Sequence, residues 1–305
     1  MLNQKQNTLN NIRQEFTIKD LENISGVKAH TIRIWEKRYN LLKPKRTDTN
    51  IRLYSNKNLE KLLNIVLLNN NNFKISKIAK MSDEELLLQC NEMAIKFLHK
   101  DEAINSFKLA MFNFDTVLFN STYDKLLLKM TFRDVFKDVF IPFLEHIGLL
   151  WHTDTLIPAY EHFVSNLITQ KIQINTEKIT SNTSNTAKTY VLYLPENEIH
   201  ELGLLYLNYE LNLRGNNTIY LGQSLPFDNL NYFLSSKNKY CFITYMTIMP
   251  YDSKVKEYFK EADALLNDSE AQFIAIGRKT DLVKNLNFKS NIKLYKSVSD
   301  LLKEL

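Results

Sequence analysis

A carboxylate, an imidazole and a glycine stand at Glu198-x-His200-x-x-Gly203, directly after the apolar run 190–194. A side chain at that position lies between a strand and a helix, which is where an α/β domain presents ligand-binding residues. Neutral imidazole donates a nitrogen lone pair to a metal, and a carboxylate two residues earlier can accept the other ring N–H and fix the tautomer. Gly203, in the first turn of the next helix, would let a ligand pass close to the backbone. A single His after a strand is also often just a polar loop residue. The elements around the triplet decide between the two.

Apolar, β-prone runs recur at 190–194, 218–221, 242–246, 273–276 and 292–295, separated by helical stretches. Five such runs predict a doubly wound parallel five-stranded sheet of flavodoxin-like type over residues 187–305. Ligands in such sheets sit beyond the strand C-termini, where His200 lies. No Gly-x-Gly-x-x-Gly follows any strand, so a dinucleotide fingerprint is absent.

Upstream, residues 81–180 carry helical periodicity, with helices expected over 84–97, 122–128 and 135–150 and a four- or five-helix bundle overall. Most of its Leu, Phe and Met are core. Polar residues 153–155 and then Pro158, which suits the first position of a helix, predict an αα hairpin. The hairpin brings Trp151, His152, Glu161 and His162 to one end of the bundle. That set suits a lid over a flat aromatic or macrocyclic ligand. The alternative is a bundle end stabilised by capping and half-buried imidazoles.

The formal net charge of +5 is unevenly spread: residues 1–80 hold 16 Lys and Arg against 6 Asp and Glu, and the remainder hold 23 against 28. Basic charge gathered in one segment marks a polyanion-binding module. After a flexible stretch over 1–14, residues 15–80 read as a winged helix-turn-helix. A short helix is capped near Thr17 and ended by a turn at Gly26, and a second helix spans 28–39. Val27, Ile32, Ile34 and Trp35 supply apolar contacts, while Thr31, Arg33, Lys37 and Arg38 offer reach towards a major groove. Runs 41–46 and 51–55 form a two-stranded wing about the turn 47–50, with Arg46 and Arg52 towards phosphates. A helix over 58–68 follows. Use as a protein-interaction module would leave the basic wing unexplained.

The string from Thr31 to Tyr39, then Leu42, Pro44, Arg46 and Arg52-Leu53-Tyr54-Ser55, resembles the winged helix-turn-helix of the MerR family. The resemblance implies contact with double-stranded operator DNA through Thr17, Thr31, Arg33, Lys37, Arg38, Arg46, Arg52 and Tyr54, by a dimer on a near-palindromic site. Trp151, nine residues, then Glu161-His162, together with the His200 loop, resembles the adenosylcobalamin-dependent light-sensing group of that family, the CarH/LitR type. The run Tyr220 to Pro226 carries the same likeness. This resemblance implies His200 as the lower axial ligand of cobalt, with Glu198, Gly203, Thr244 and Gly277 around the cofactor. It also implies Trp151 and Glu161 against the adenosyl group, His162 supporting the pocket, and His152 as an upper metal ligand after photolysis. A dark dimer or tetramer would repress transcription and light would dissolve it. Two positions depart from the group: its Ser-x-Leu stands as Thr244-Tyr245-Met246, and its paired glycines as Ile276-Gly277. Tyr245 is expected to crowd the base of the cofactor's tail.

No apolar run is long enough to span a bilayer, and the polar N-terminus lacks a signal-peptide core. Cys90 and Cys241 lie far apart in apolar surroundings, which fits a reducing cytoplasm. No Ser/His/Asp order or zinc spacing stands out, so an enzyme is not expected. Three readings remain open. The first is a regulator controlled by adenosylcobalamin and by light. The second is a cofactor-independent MerR-type regulator whose C-terminal domain serves oligomerisation or partner binding. The third is a corrinoid carrier or methyltransferase subunit.

Overall fold

The computed structural model describes residues 15–96, 100–152, 156–179, 188–234, 239–267 and 269–305. The chain divides into two compact units, Met1–Leu167 and Ile168–Leu305.

In the first unit, β1 (Glu15–Phe16) leads into α1 (Ile18–Ser25). Thr17 caps α1 reciprocally: its hydroxyl accepts the Asp20 N–H at 3.2 Å, and Asp20 Oδ2 accepts the Thr17 N–H at 2.8 Å. Gly26 ends the helix in the left-handed region at φ 74°, and α2 (Ala29–Tyr39) follows. Next come β2 (Lys45–Arg46), β3 (Arg52–Ser55) and α3 (Asn56–Asn70), which Ser55 caps. The small antiparallel sheet has the order β1-β3-β2, so the wing gains a third strand. Two residues are too few to show alternation, which is why β1 is invisible in sequence.

After the single turn α4 (Ile75–Ile78), the bundle contains α5 (Asp83–Lys96), α6 (Lys100–Asn113) and α7 (Thr116–Leu127). Then α8 (Phe132–Val135) runs through a π-helical turn at Phe136–Phe140 into α9 (Ile141–His152), and α10 (Pro158–Glu177) opens on its proline as expected. The helix α6 goes unannounced in sequence. Ala103, Phe107, Leu109, Ala110, Met111 and Phe112 are all buried on it, so it lacks the single apolar stripe that marks an amphipathic helix. Phe107 anchors the core, with ring centroids 4.7 Å from Phe119, 5.3 Å from Phe140 and 5.8 Å from Phe143.

The winged helix-turn-helix and the bundle, expected as separate domains divided at 80/81, share one core. Seven consecutive residues of α3, from Leu62 to Leu68, are buried, and a helix enclosed on all sides must be covered from both. Phe16 of β1 meets Phe112 of α6 edge to face at 6.0 Å, and Lys108 Nζ donates to the Ile24 carbonyl at 3.3 Å.

The second unit is the expected sheet. Strands β4 (Lys188–Pro195), β5 (Asn217–Leu225), β6 (Lys239–Tyr245), β7 (Gln272–Ile276) and β8 (Ile292–Tyr295) are parallel in the order β5-β4-β6-β7-β8. The helices are α11 (Leu202–Leu213), α12 (Asn231–Leu234), α13 (Asp252–Leu266) and α14 (Val298–Glu304). Strand alternation splits β6 between two clusters. Cys241 and Ile243 pack with Leu204, Leu207 and Leu211 of α11 and Leu301 of α14. Phe242 and Met246 pack with Val255 and Phe259 of α13. Neighbours of β4 on its two sides connect in opposite directions, so its C-terminal end is the switch point of the sheet. Among the described residues, no helix is long and apolar enough to cross a membrane.

Candidate functional site

His200 lies in the loop between β4 and α11, at that switch point. Its side chain is 43% exposed, and its Nδ1 is 2.6 Å from Glu198 Oε1. Glu198 is fully buried and organises the loop. Its Oε1 also accepts the N–H groups of Ile199 and His200, both at 3.0 Å. Its Oε2 accepts those of Thr247 at 3.1 Å, Ile248 at 2.6 Å and Met249 at 2.8 Å, from the segment after β6. Burial pushes the carboxyl's pKa up, but the amide of Met249, the imidazole and amide of His200 and the amide of Ile248 outweigh it and hold the pKa down at about 2. A carboxylate at Nδ1 leaves Nε2 as the nitrogen offered to a ligand. Ser224, near the end of β5, braces the other side of the loop: its hydroxyl accepts the Asn197 N–H at 3.0 Å and its amide donates to the Glu198 carbonyl at 3.2 Å.

One exposed, oriented imidazole suits a metal whose other donors come from a macrocycle, so the His200–Glu198 pair fits a corrin-held cobalt. The three remaining residues expected near such a group are less open. Thr244 is fully buried, and its hydroxyl has no hydrogen-bond partner among the described residues, although the phenols of Tyr193 and Tyr258, 2.6 Å from each other, lie near enough to feel it. Gly277 is buried at φ 120°, and a Cβ there would fall 2.3 Å from the Met246 carbonyl oxygen. Its lack of a side chain is therefore required by the neighbouring backbone. Gly203 opens α11 as expected, but the ring of Tyr245 covers it, 3.1 Å from where a Cβ would stand.

In the first unit, Trp151 and His152 close α9. The expected turn at 153–155 lies outside the described residues. Glu161, in the first turn of α10, accepts the Ser165 hydroxyl at 2.7 Å and stands 3.8 Å from Nδ1 of the exposed His162. Tyr160 beside it packs on Phe112 and Phe114, both at 5.0 Å.

On the nucleic-acid side, Arg33, Lys37, Arg38 and Arg46 are exposed, Thr31 is half-buried, and Arg33, Lys37, Arg46 and Arg52 border one shallow concavity. Ile34, expected inward, is 51% exposed on the same helix. Tyr54, expected towards DNA, is fully buried, and its hydroxyl donates to Glu36 Oε2 at 3.0 Å, so it supports the wing. Arg52 Nε donates to the same carboxylate at 3.1 Å and 3.2 Å, which commits that N–H to the protein. Thr17 spends its hydroxyl on the cap of α1. Glu36, which ties the reading helix to the wing, carries no sequence signal: its partners are 16 and 18 residues away. The amides at 247–249 escape too, because backbone donors leave no mark on residue type.

Residues 16–85 match the MerR HTH family regulatory protein family, and residues 103–174 match the B12 binding domain family. The HTH-type transcriptional repressor CarH of Myxococcus xanthus is 26% identical over 213 residues, which span 68% of this chain and 70% of that one. Among solved structures, the monomethylamine corrinoid protein of Methanosarcina barkeri shares the fold, with a TM-score of 0.53 at 12% identity over 68% of this chain and 98% of its own. A match to the MerR winged helix, a match to the B12 binding domain and that relative together support reading this chain as a CarH-type regulator of the MerR type.

Proposed function

We infer that this cobalamin-responsive DNA-binding regulator is a repressor acting in the cytoplasm, that its effector is adenosylcobalamin, and that light releases the repression. The observation carrying this reading is the His200–Glu198 pair, 2.6 Å apart at the switch point of the sheet, in a chain that also holds a basic winged helix. When bound, adenosylcobalamin supplies a cobalt–carbon bond that light can break. His200 Nε2 would hold its metal, with Glu198 fixing the tautomer. Trp151, Glu161 and His162 would line the upper side, and His152 is the candidate second imidazole there. Arg33, Lys37, Arg38 and Arg46 would meet operator DNA, as a homodimer or tetramer matching half-sites by symmetry. Regulation requires only that the effector bind one arrangement of the protein better than the other.

Dark mixing with adenosylcobalamin should give a protein-bound corrinoid spectrum that His200→Ala loses, and operator gel shifts should weaken on illumination. A protein that never acquires the spectrum would refute the reading. The cover that Tyr245 lays over Gly203 is the one observation favouring a cofactor-independent regulator.

A further inference from the structure

This inference rests on the corrinoid reading of His200 and concerns the nucleotide tail that such a ligand carries. Gly203 leaves a gap in the first turn of α11, facing the sheet surface shared with α14. Tyr245 fills it. A Cβ on Gly203 would lie 3.1 Å from Tyr245 Cε2, 3.3 Å from Cζ and 3.4 Å from Cδ2, so the phenol ring rests on the glycine backbone. Alternation along β6 directs residues 241, 243 and 245 to this face, and the ring packs on the cluster together with Tyr220, Val298 and Leu302. The residue's backbone is held between strands: Tyr245 pairs with Ile276 of β7, and the Met246 N–H donates to the Ile276 carbonyl at 2.8 Å. Thr244, of opposite parity on β6, is fully buried on the face that carries Phe242. A flat aromatic ring already occupies the only gap that Gly203 opens, and a second one cannot share it without overpacking.

We propose that Tyr245 stands where a corrinoid's tail base would insert, so that the chain grips corrinoids through His200 with the tail outside the sheet and binds tail-less corrinoids as well as complete ones. The consequence is a broad ligand class. A corrin ring with an upper alkyl group is recognised, and the identity or absence of the lower base matters little.

The test is a dark titration of the full chain, followed by absorbance, with adenosylcobalamin and with adenosylcobinamide, which lacks the tail. The wild-type protein is expected to bind the two within about threefold of each other. Tyr245→Gly should open the slot, tightening adenosylcobalamin at least tenfold and leaving adenosylcobinamide unchanged, while Tyr245→Phe keeps the wild-type ratio. A wild-type protein that prefers adenosylcobalamin by a hundredfold would overturn the proposal, and this comparison needs no variant to fold. Binding of adenosylcobalamin by Tyr245→Gly alone would also overturn it, because the wild-type chain would then hold no complete corrinoid with its tail outside the sheet. If neither ligand binds either protein, the His200 reading itself falls and takes the proposal with it, a pattern distinct from the hundredfold preference.

Discussion

His200 Nδ1 lies 2.6 Å from Glu198 Oε1, and the carboxylate that holds this imidazole also collects the amides of Thr247, Ile248 and Met249 from across the sheet end. Loop shape and imidazole orientation thus depend on one buried side chain. Glu198→Ala strands five backbone N–H groups and is expected to destabilise the second unit by roughly 3 kcal/mol or more, seen in chemical denaturation. Corrinoid affinity should fall about 10- to 100-fold in the same variant, the usual cost of losing a ligand's orienting partner. Unchanged denaturation would show that the carboxylate does not organise the loop.

Salt titrations distinguish the wing residues that face DNA from those that only support it. Arg46 is exposed, and Arg46→Ala should reduce the slope of log affinity against log salt by about 0.9, one phosphate's worth. Tyr54 is buried on Glu36, and Tyr54→Phe should leave the slope alone while costing about 1 kcal/mol of stability. A reduced slope for Tyr54→Phe would return that residue to the DNA surface.

Acid should loosen the seam between the winged helix and the bundle. Burial, aided by the Lys108 ammonium and opposed by the Ile24 carbonyl, holds the His146 pKa down at about 4, and burial, opposed by Asp101, holds that of Lys108 down at about 8. The folded chain resists protonating His146 where the unfolded chain accepts it. Stability is therefore full above the ordinary histidine value near 6.5 and is lost as pH falls from there through about 4. The first unit should melt at a lower temperature at pH 5 than at pH 7, and His146→Gln should flatten that difference in thermal melts followed by circular dichroism.

Two glycines near the loop should respond differently to alanine. At Gly277, φ is 120° and a Cβ would sit 2.3 Å from a backbone oxygen that cannot yield, so Gly277→Ala should cost about 3 kcal/mol or more. At Gly203 the obstacle is the Tyr245 ring at 3.1 Å, which can give by a few tenths of an ångström. Alanine's better helix propensity, worth roughly 1 kcal/mol, then offsets much of the strain, so Gly203→Ala should stay within about 1 kcal/mol of wild type in urea denaturation.

Local chemistry made much of this protein legible from its residues. The five strands show as short β-prone runs between helical stretches, and their number with crossover helices dictates a parallel sheet whose ligand edge includes His200. Thr17, Gly26 and Pro158 mark helix ends because capping and backbone freedom act within a few residues. What only the folded chain decided depends on partners distant in sequence. Glu36 accepts the Tyr54 hydroxyl from 18 residues away, α3 is enclosed by both the winged helix and the bundle, and Glu198 is answered by amides 49 to 51 residues on. Tyr245 can be read as bulky from its letter. That its ring lies on Gly203 is settled by packing, because residue type fixes a side chain's size and strand parity its face, whereas the gap it fills exists only once α11 and α14 cover the sheet.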